Sequence, residues 1–551
     1  MTDISIVALA ICILLGAGPC VGQTNTWSVG NPSGNAALSL WGDSIFPMGD
    51  VNGDGAVDIL ASDPRASTAG LVDAGLIQIL SGSDGTVISS LSGASANEFV
   101  YSPGVVGDVD GDGVKDYLYL SNLVSMQVRS GGTGSVLLSG LGQFPGAVAD
   151  LGDLNGDGFS EWSWGGGVVP PPGFYGTITV FSGPTGAPLF YAYGDEPLAL
   201  FGSTIARGHD FNGDGVRDIL VSGPSAFAGN FALGRGWAYV CSGADGSIIH
   251  KFIGPPQVAG VGAWYGSHLA SPGDTDGDGV PDVLVLAPGV FTAYLYSGAT
   301  WAQIGAFPAQ GHVSIGHPPD IYFVTPGDVD GDGCADFGIH GQSMWFEVYS
   351  GKTQAVLMRV FDPPPLPIAT LTKKISLGDS DGDGFPNLAF GSFTIPGGNS
   401  LRTIWSYNLA PAGVASFGAG CAAQGGLVPR IGFSGLPLLG ASIQVNLRDV
   451  PAQAPALLLL GTSNSVWLGN TLPMDLGPAG MPGCSLLVAP EQMFSFLPVA
   501  IGGTAAASMP FTIPQAPFLP GAVFYLQWAV ATQQGSPVSV RLSRALEVTI
   551  L

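Results

Sequence analysis

DVDGDGVKDYLYL, residues 108–120, places oxygen-bearing side chains at its first, third, fifth and ninth positions and glycine at its fourth and sixth. An apolar run follows at once. Six other stretches share this grammar: DVNGDGAVD (50–58), DLNGDGFSE (153–161), DFNGDGVRD (210–218), DTDGDGVPD (274–282), DVDGDGCAD (328–336) and DSDGDGFPN (379–387). Their starts lie 45 to 64 residues apart, a period that belongs to repeated supersecondary units.

The surroundings of each loop recur as well. An apolar stretch precedes it, as in WGDSIFPMGD (41–50) and YGSHLASPGD (265–274), and a buried-strand pattern such as DILAS or DVLVL follows it. A third strand ends in Ser-Gly, as in LIQILSGSDG (76–85) and WAYVCSGADG (237–246), and a fourth apolar stretch comes after that turn. Four short strands per repeat predict an all-β fold, a seven-bladed β-propeller with four-stranded blades. The seventh unit stops at LRTIWSYN (401–408) without a fourth strand. The expectation is that an N-terminal strand, read within NPSGNAALSL (31–40), supplies it, closes the ring and removes two exposed sheet edges.

Alternating side-chain oxygens with glycines between them let the backbone curl so that positions 1, 3 and 5 converge, while position 7 offers a carbonyl and position 9 a last carboxylate. Calcium takes six to eight oxygens, so the expected cofactor is calcium. The expected ligands are Asp50, Asn52, Asp54, Ala56 and Asp58; Asp108, Asp110, Asp112, Val114 and Asp116; Asp153, Asn155, Asp157, Phe159 and Glu161; and Asp210, Asn212, Asp214, Val216 and Asp218. The last three loops add Asp274, Asp276, Asp278, Val280 and Asp282; Asp328, Asp330, Asp332, Cys334 and Asp336; and Asp379, Asp381, Asp383, Phe385 and Asn387. The residues at position 7 act through their carbonyls, Cys334 included, and no soft ligand recurs, which argues against zinc or copper. An EF-hand needs Glu at position 12, where these loops carry Ala61, Tyr119, Trp164, Val221, Val285, Ile339 and Phe390. Plain soluble turns would not gather like charges, since two of them 4 Å apart cost about 4 kcal/mol at an effective dielectric of 20. Asn387 replaces the acid of the seventh loop and Glu161 lengthens that of the third, so these two are the weakest sites.

The units resemble FG-GAP/VCBS repeats, the calcium-loop repeats of integrin α-subunit propellers and of many secreted bacterial proteins, over roughly residues 23–409. That family spans adhesion proteins, lectin-like modules and a few enzymes, so the resemblance implies fold more strongly than function.

Composition narrows the partners. The 551 residues carry 41 acids against 16 bases, for a net charge of -25. Without a basic patch, nucleic acid and anionic membranes are excluded as electrostatic partners. Seven divalent ions would offset more than half of that charge. Residues 4–15 form an apolar run of signal-peptide length, too short to span a bilayer, so residues 1–22 read as a signal peptide of an exported protein. No Lys or Arg precedes that run, and Pro19 ahead of Cys20 fits a lipid-attachment box poorly. The mature chain has no predicted membrane span.

Beyond residue 410 the acidic loops cease and strand-like runs appear at SIQVNL (442–447), ALLLLG (456–461), FYLQWAV (524–530) and ALEVTIL (545–551). Residues 410–551 are read as a C-terminal β-sandwich with Cys421 and Cys484 bridged, while Cys241 and Cys334 remain separate core thiols. No histidine pair has metal spacing, and no GxSxG elbow or phosphate-binding loop is present. The aromatic stretches 170–176 and 261–268 could stack on sugars, with packing between blades as the stronger reading. The preferred function is a non-enzymatic, secreted or cell-surface module that binds an extracellular protein or glycan. The alternatives are a polysaccharide lyase or glycoside hydrolase on a propeller scaffold, and a structural envelope protein.

Overall fold

The computed structural model describes residues 25–551 apart from short stretches, the longest being 33–39, 169–175, 225–234, 256–262, 310–322 and 362–368. The expected signal peptide lies outside the described residues.

Each repeat folds into one four-stranded antiparallel sheet, and there are seven such sheets from residue 25 to residue 408 among the described residues. In the first repeat the strands are Ser44–Gly49, Asp58–Asp63, Leu76–Leu80 and Val87–Ser92, paired in sequence order. The second and third are buried throughout, and the fourth is largely exposed. Each strand pairs with its neighbour in the chain, so the sheet is an antiparallel meander. The first strand of each sheet lies against the first strand of the next, and that of the seventh, Ala369–Gly378, lies against that of the first. These are sheets of the kind that form β-propeller blades.

The core sits between sheets. Met48, Leu60, Ile77 and Ile79 of the first sheet share one apolar cluster with Val105, Tyr117 and Tyr119 of the second. Leu220, Val240 and Phe252 of the fourth do the same with Leu269, Val283 and Val285 of the fifth. A single sheet could not bury both of its faces, so each repeat depends on its neighbours for its core. Tyr265, from one of the aromatic stretches, is fully buried in the second of these clusters and bonds Tyr296. It packs between sheets; residues 170–175 of the other stretch are not among the described residues.

The seventh sheet takes its fourth strand from the N-terminus, though not from the expected segment. Asn25–Gly30 pairs antiparallel with Leu401–Asn408, ahead of residues 31–40. Residues 33–39 lie outside the described residues, and Leu40 belongs to no strand. Trp27 explains the choice. Its ring sits on the turn of the first repeat, where Nε1 donates to the Gly82 carbonyl at 2.9 Å, and it joins Ile375 and Ile404 of the seventh sheet with Ile45 and Ile59 of the first. A motif-shaped reading of NPSG matched the turn and overlooked the large apolar anchor just before it.

The C-terminal region forms two larger antiparallel sheets, of five and four strands. Strands Ser442–Val450, Ala456–Gly461, Val523–Thr532 and Ser539–Thr549 fall on the four apolar runs of the sequence. Val445 and Leu447 of one sheet share an apolar cluster with Leu458, Trp528 and Leu546 of the other. Cys421 and Cys484 are disulfide-bonded, and Cys241 and Cys334 are free and buried.

Candidate metal centre

The seven loop sequences fall between the first and second strands of their sheets, and among the described residues hydrogen bonds hold their shape. In the second loop Gly111 and Gly113 adopt φ of 79° and 88°, a region open to glycine. The turn they make delivers the Gly111 N–H to Asp108 Oδ1 at 2.6 Å and the Gly113 N–H to Asp108 Oδ2 at 2.9 Å. Asp110 accepts the Asp112 N–H, and Asp112 accepts the Val114 N–H. Each acid thus holds the backbone that aims the next one.

Position 9 has a second role that the sequence pattern did not disclose. Asp116 is fully buried. Its Oδ2 accepts the Val109 N–H at 2.8 Å, and its Oδ1 accepts the N–H of Gly131 at 2.9 Å. Gly131 is the glycine of the Ser-Gly turn, 15 residues downstream. Asp58 with Gly82, Asp218 with Gly243, Asp282 with Gly298 and Asp336 with Gly351 repeat the contact. The turn therefore clamps the loop. It must be glycine because a Cβ on Gly131 would stand 2.0 Å from the Lys115 carbonyl, and the same gap is 1.9 Å at Gly82, 1.8 Å at Gly243 and 2.1 Å at Gly351. The paired serine also reaches the loop, Ser81 Oγ to Asp54 and Ser297 Oγ to Asp278.

Carboxylates converge in three of the loops that carry Asp at position 3, the second, fifth and sixth. One oxygen each of Asp108, Asp110 and Asp116 lies within 4.8 Å of the others, and so do those of Asp274, Asp276 and Asp282, and of Asp328, Asp330 and Asp332. Each of these three sets could hold a metal ion. Where position 3 is Asn, its amide meets part of the demand: Asn52 Nδ2 donates to Asp54, Asn155 to Asp157 and Asn212 to Asp214, at 2.9 to 3.0 Å.

The electrostatics follow the same division. Burial, reinforced by Asp112 and Asp108, pushes the Asp110 carboxyl up, and Asp276 behaves likewise beside Asp278 and Asp274. Burial opposes ionisation of Asp54 too, but hydrogen bonds from Ala56, Asn52, Ser83 and Ser81 outweigh it and hold that carboxyl low. Deep burial drives Asp116 up to about 7 and Asp218 to about 6. Anions raised by burial and by each other, with only oxygen around them, fit a hard divalent cation. The Cys334 thiol is pushed up to about 11 by burial and stays protonated, so it is no thiolate ligand.

The seventh loop differs. Asn387 takes position 9 and accepts the Ser380 N–H at 2.8 Å, so the backbone bond survives without the charge. Asp381 and Asp383 lie outside the described residues.

Residues 274–339, which contain the fifth and sixth loops, match the family profile described as FG-GAP-like repeat. Integrin alpha-5 of Xenopus laevis is 27% identical over 259 residues, and integrin alpha-V of Gallus gallus is 25% identical over 152. The chain thus carries FG-GAP-like repeat sequence and is similar to integrin α-subunits. The matched part of this chain is 40% of its own length for integrin alpha-5 and 25% for integrin alpha-V, and it spans 24% and 13% of those two subunits. Integrin alpha-PS3 of Drosophila melanogaster is 32% identical over 110 residues, 18% of this chain and 9% of that one. Among solved structures, BBS1N in complex with ARL6DN gives a TM-score of 0.41 at 12% identity, covering 72% of this chain and 98% of that one, too loose to carry inference. No helix among the described residues is long and apolar enough to cross a membrane.

Proposed function

We propose that this FG-GAP protein is an exported, calcium-stabilised adhesion-type module that binds an extracellular protein or glycan. In this reading residues 1–22 are a signal peptide, 23–409 form a seven-bladed propeller closed by the strand Asn25–Gly30, and 410–551 form a β-sandwich. The succession of first strands and the inter-sheet cores support the ring, and the apolar cluster shared by the two C-terminal sheets supports the sandwich. The observation that carries the metal is the convergence of three carboxylates in each of the loops that begin at Asp108, Asp274 and Asp328, in a chain similar to integrin α-subunits. The 35 loop positions set out above are the proposed ligand set. Calcium would supply charge neutralisation and rigidity there, while the loop backbone orients the acids and the Ser-Gly turn excludes water from position 9.

The test has two parts on the purified chain. Elemental analysis after dialysis against calcium should find several ions per chain, and calorimetry should show a fall in melting temperature with excess chelator. Binding to panels of glycans and extracellular-matrix proteins should then depend on calcium. Absence of bound calcium together with an unchanged melting temperature refutes the metal; polysaccharide turnover refutes the non-catalytic reading.

A further inference from the structure

The sixth loop differs from its equals in being covered. Asp330 is 8% exposed and Asp332 is half-buried, whereas Asp110 and Asp112 of the second loop and Asp276 and Asp278 of the fifth are exposed. The cover is the C-terminal pair of sheets. Asn446, in the centre of strand Ser442–Val450, is fully buried and donates its Nδ2 to the main-chain carbonyl of Asp330, 116 residues away in sequence. Trp528 Nε1 donates to the Asn446 carbonyl at 3.0 Å and fixes that strand. Asn446 Oδ1 is buried with no hydrogen-bond partner among the described residues.

The seventh loop joins the same contact by other means. Phe385, at its position 7, is 1% exposed and belongs to the apolar cluster of Val445, Leu447 and Trp528. Topology makes this adjacency natural. Chain exit from strand Leu401–Asn408 occurs on the face that carries the loops, and Leu409 is held there by its N–H to the Pro386 carbonyl. The following sheets must therefore land on loops six and seven.

We propose that the cation site of the sixth loop is a latch between the repeat array and the C-terminal sheets. This rests on the calcium reading above and goes beyond it. Without a cation, Asp328, Asp330 and Asp332 repel one another within 4.8 Å. Relaxing that repulsion moves the Asp330 backbone, which withdraws the acceptor from a buried amide that has no water to replace it. With the cation bound, the carbonyl is presented and the sheets dock. By linkage, docking must tighten the hold on the cation by the same factor, and the cover slows its escape. The Phe385 contact carries no charge and serves as the cation-independent half of the joint.

The experiment uses the full chain loaded with calcium and compares Asp328→Asn, Asn446→Leu and the control Asp274→Asn in the exposed fifth loop. Hydrogen exchange is read on peptides covering Ser442–Val450, with the radius of gyration from small-angle scattering. Asp328→Asn and Asn446→Leu should speed exchange in that strand by about 5–150-fold, the range of ordinary coupling free energies. Asp274→Asn should leave it at the wild-type rate. Asn446→Leu should also abolish the slowest phase of calcium release into excess chelator. Wild-type exchange in both Asp328→Asn and Asn446→Leu, or equal acceleration by Asp274→Asn, overturns the latch while leaving the calcium reading intact. A wild-type chain that binds no calcium removes both. If Asp328→Asn fails to fold, Asn446→Leu decides alone.

Discussion

Replacing Gly131 by Ala tests the clamp between the Ser-Gly turn and the acidic loop. Gly131 does not have a left-handed backbone, so alanine is acceptable to its φ and only space forbids it. The new Cβ would lie 2.0 Å from the Lys115 carbonyl and 2.8 Å from the Met48 methyl. The turn must retreat by more than an ångström, which breaks the 2.9 Å bond from the Gly131 N–H to the buried Asp116 carboxylate. A hydrogen bond to a charged group contributes about 1.5–3 kcal/mol, and overpacking costs roughly 1–3 kcal/mol, so the loss should be about 2.5–6 kcal/mol. Gly134, in the same turn, is the control: its φ is 72° and nothing lies within 4 Å of its Cβ position, so Gly134→Ala meets only backbone strain, about 1–2 kcal/mol. Urea unfolding followed by tryptophan fluorescence compares the two in calcium. In an Asp116→Ala background the acceptor is gone, and the Gly131→Ala penalty should shrink by the hydrogen-bond share, about 1.5–3 kcal/mol. A Gly131→Ala loss no larger than that of Gly134→Ala, or a penalty unchanged in the Asp116→Ala background, refutes the clamp.

Chelation should lower the calorimetric melting temperature, since each site filled at a hundred times its dissociation constant adds about 2.7 kcal/mol; an unchanged transition contradicts the metal assignment. In chelator, Asp116 should make stability depend on pH. Its folded pKa of about 7 lies above the ordinary carboxylate value of 3.8, so the folded state holds a proton that the unfolded state has released. The stability of wild type relative to Asp116→Asn should therefore fall as pH rises between about 5 and 7, and a rising difference refutes it. Trp27→Ala should cost about 3–5 kcal/mol by emptying the joint between the seventh and first sheets, and a loss below that of a surface alanine substitution in urea denaturation would show that the N-terminal strand is dispensable. Replacing Cys421 and Cys484 by serine should cost about 2–5 kcal/mol, confined to the C-terminal transition in calorimetry; a shift in the repeat-array transition alone would contradict that confinement.

The loops and strands were legible because their rules are local. Oxygens two residues apart with glycine between them announce a curled acidic turn, and alternation or short apolar runs announce strands whether or not the partner is known. The four C-terminal runs all became strands for this reason. The Ser-Gly repeat was equally visible, yet its purpose was hidden, because the glycine is required by a carbonyl that approaches from the preceding strand connection and not by its own backbone angle. The fourth strand of the seventh sheet was placed too late in the chain because a turn-like NPSG outweighed Trp27, whose anchor is the carbonyl of Gly82, 55 residues on.

The sequence by itself thus determined seven repeats, four strands in each of the first six, and the oxygen-only chemistry of their loops, since each loop and strand is written within a span of a dozen residues. Tertiary structure alone decided which strand completes the last sheet, why the turn glycine is needed, and which loop is covered. Those outcomes depend on burial and hydrogen bonds between groups far apart in the chain, such as Asp330 and Asn446. Identical local motifs cannot encode which of them will meet a neighbour. Loop six and loop two read alike as sequence, and only the landing place of the C-terminal sheets makes one buried and leaves the other open to solvent.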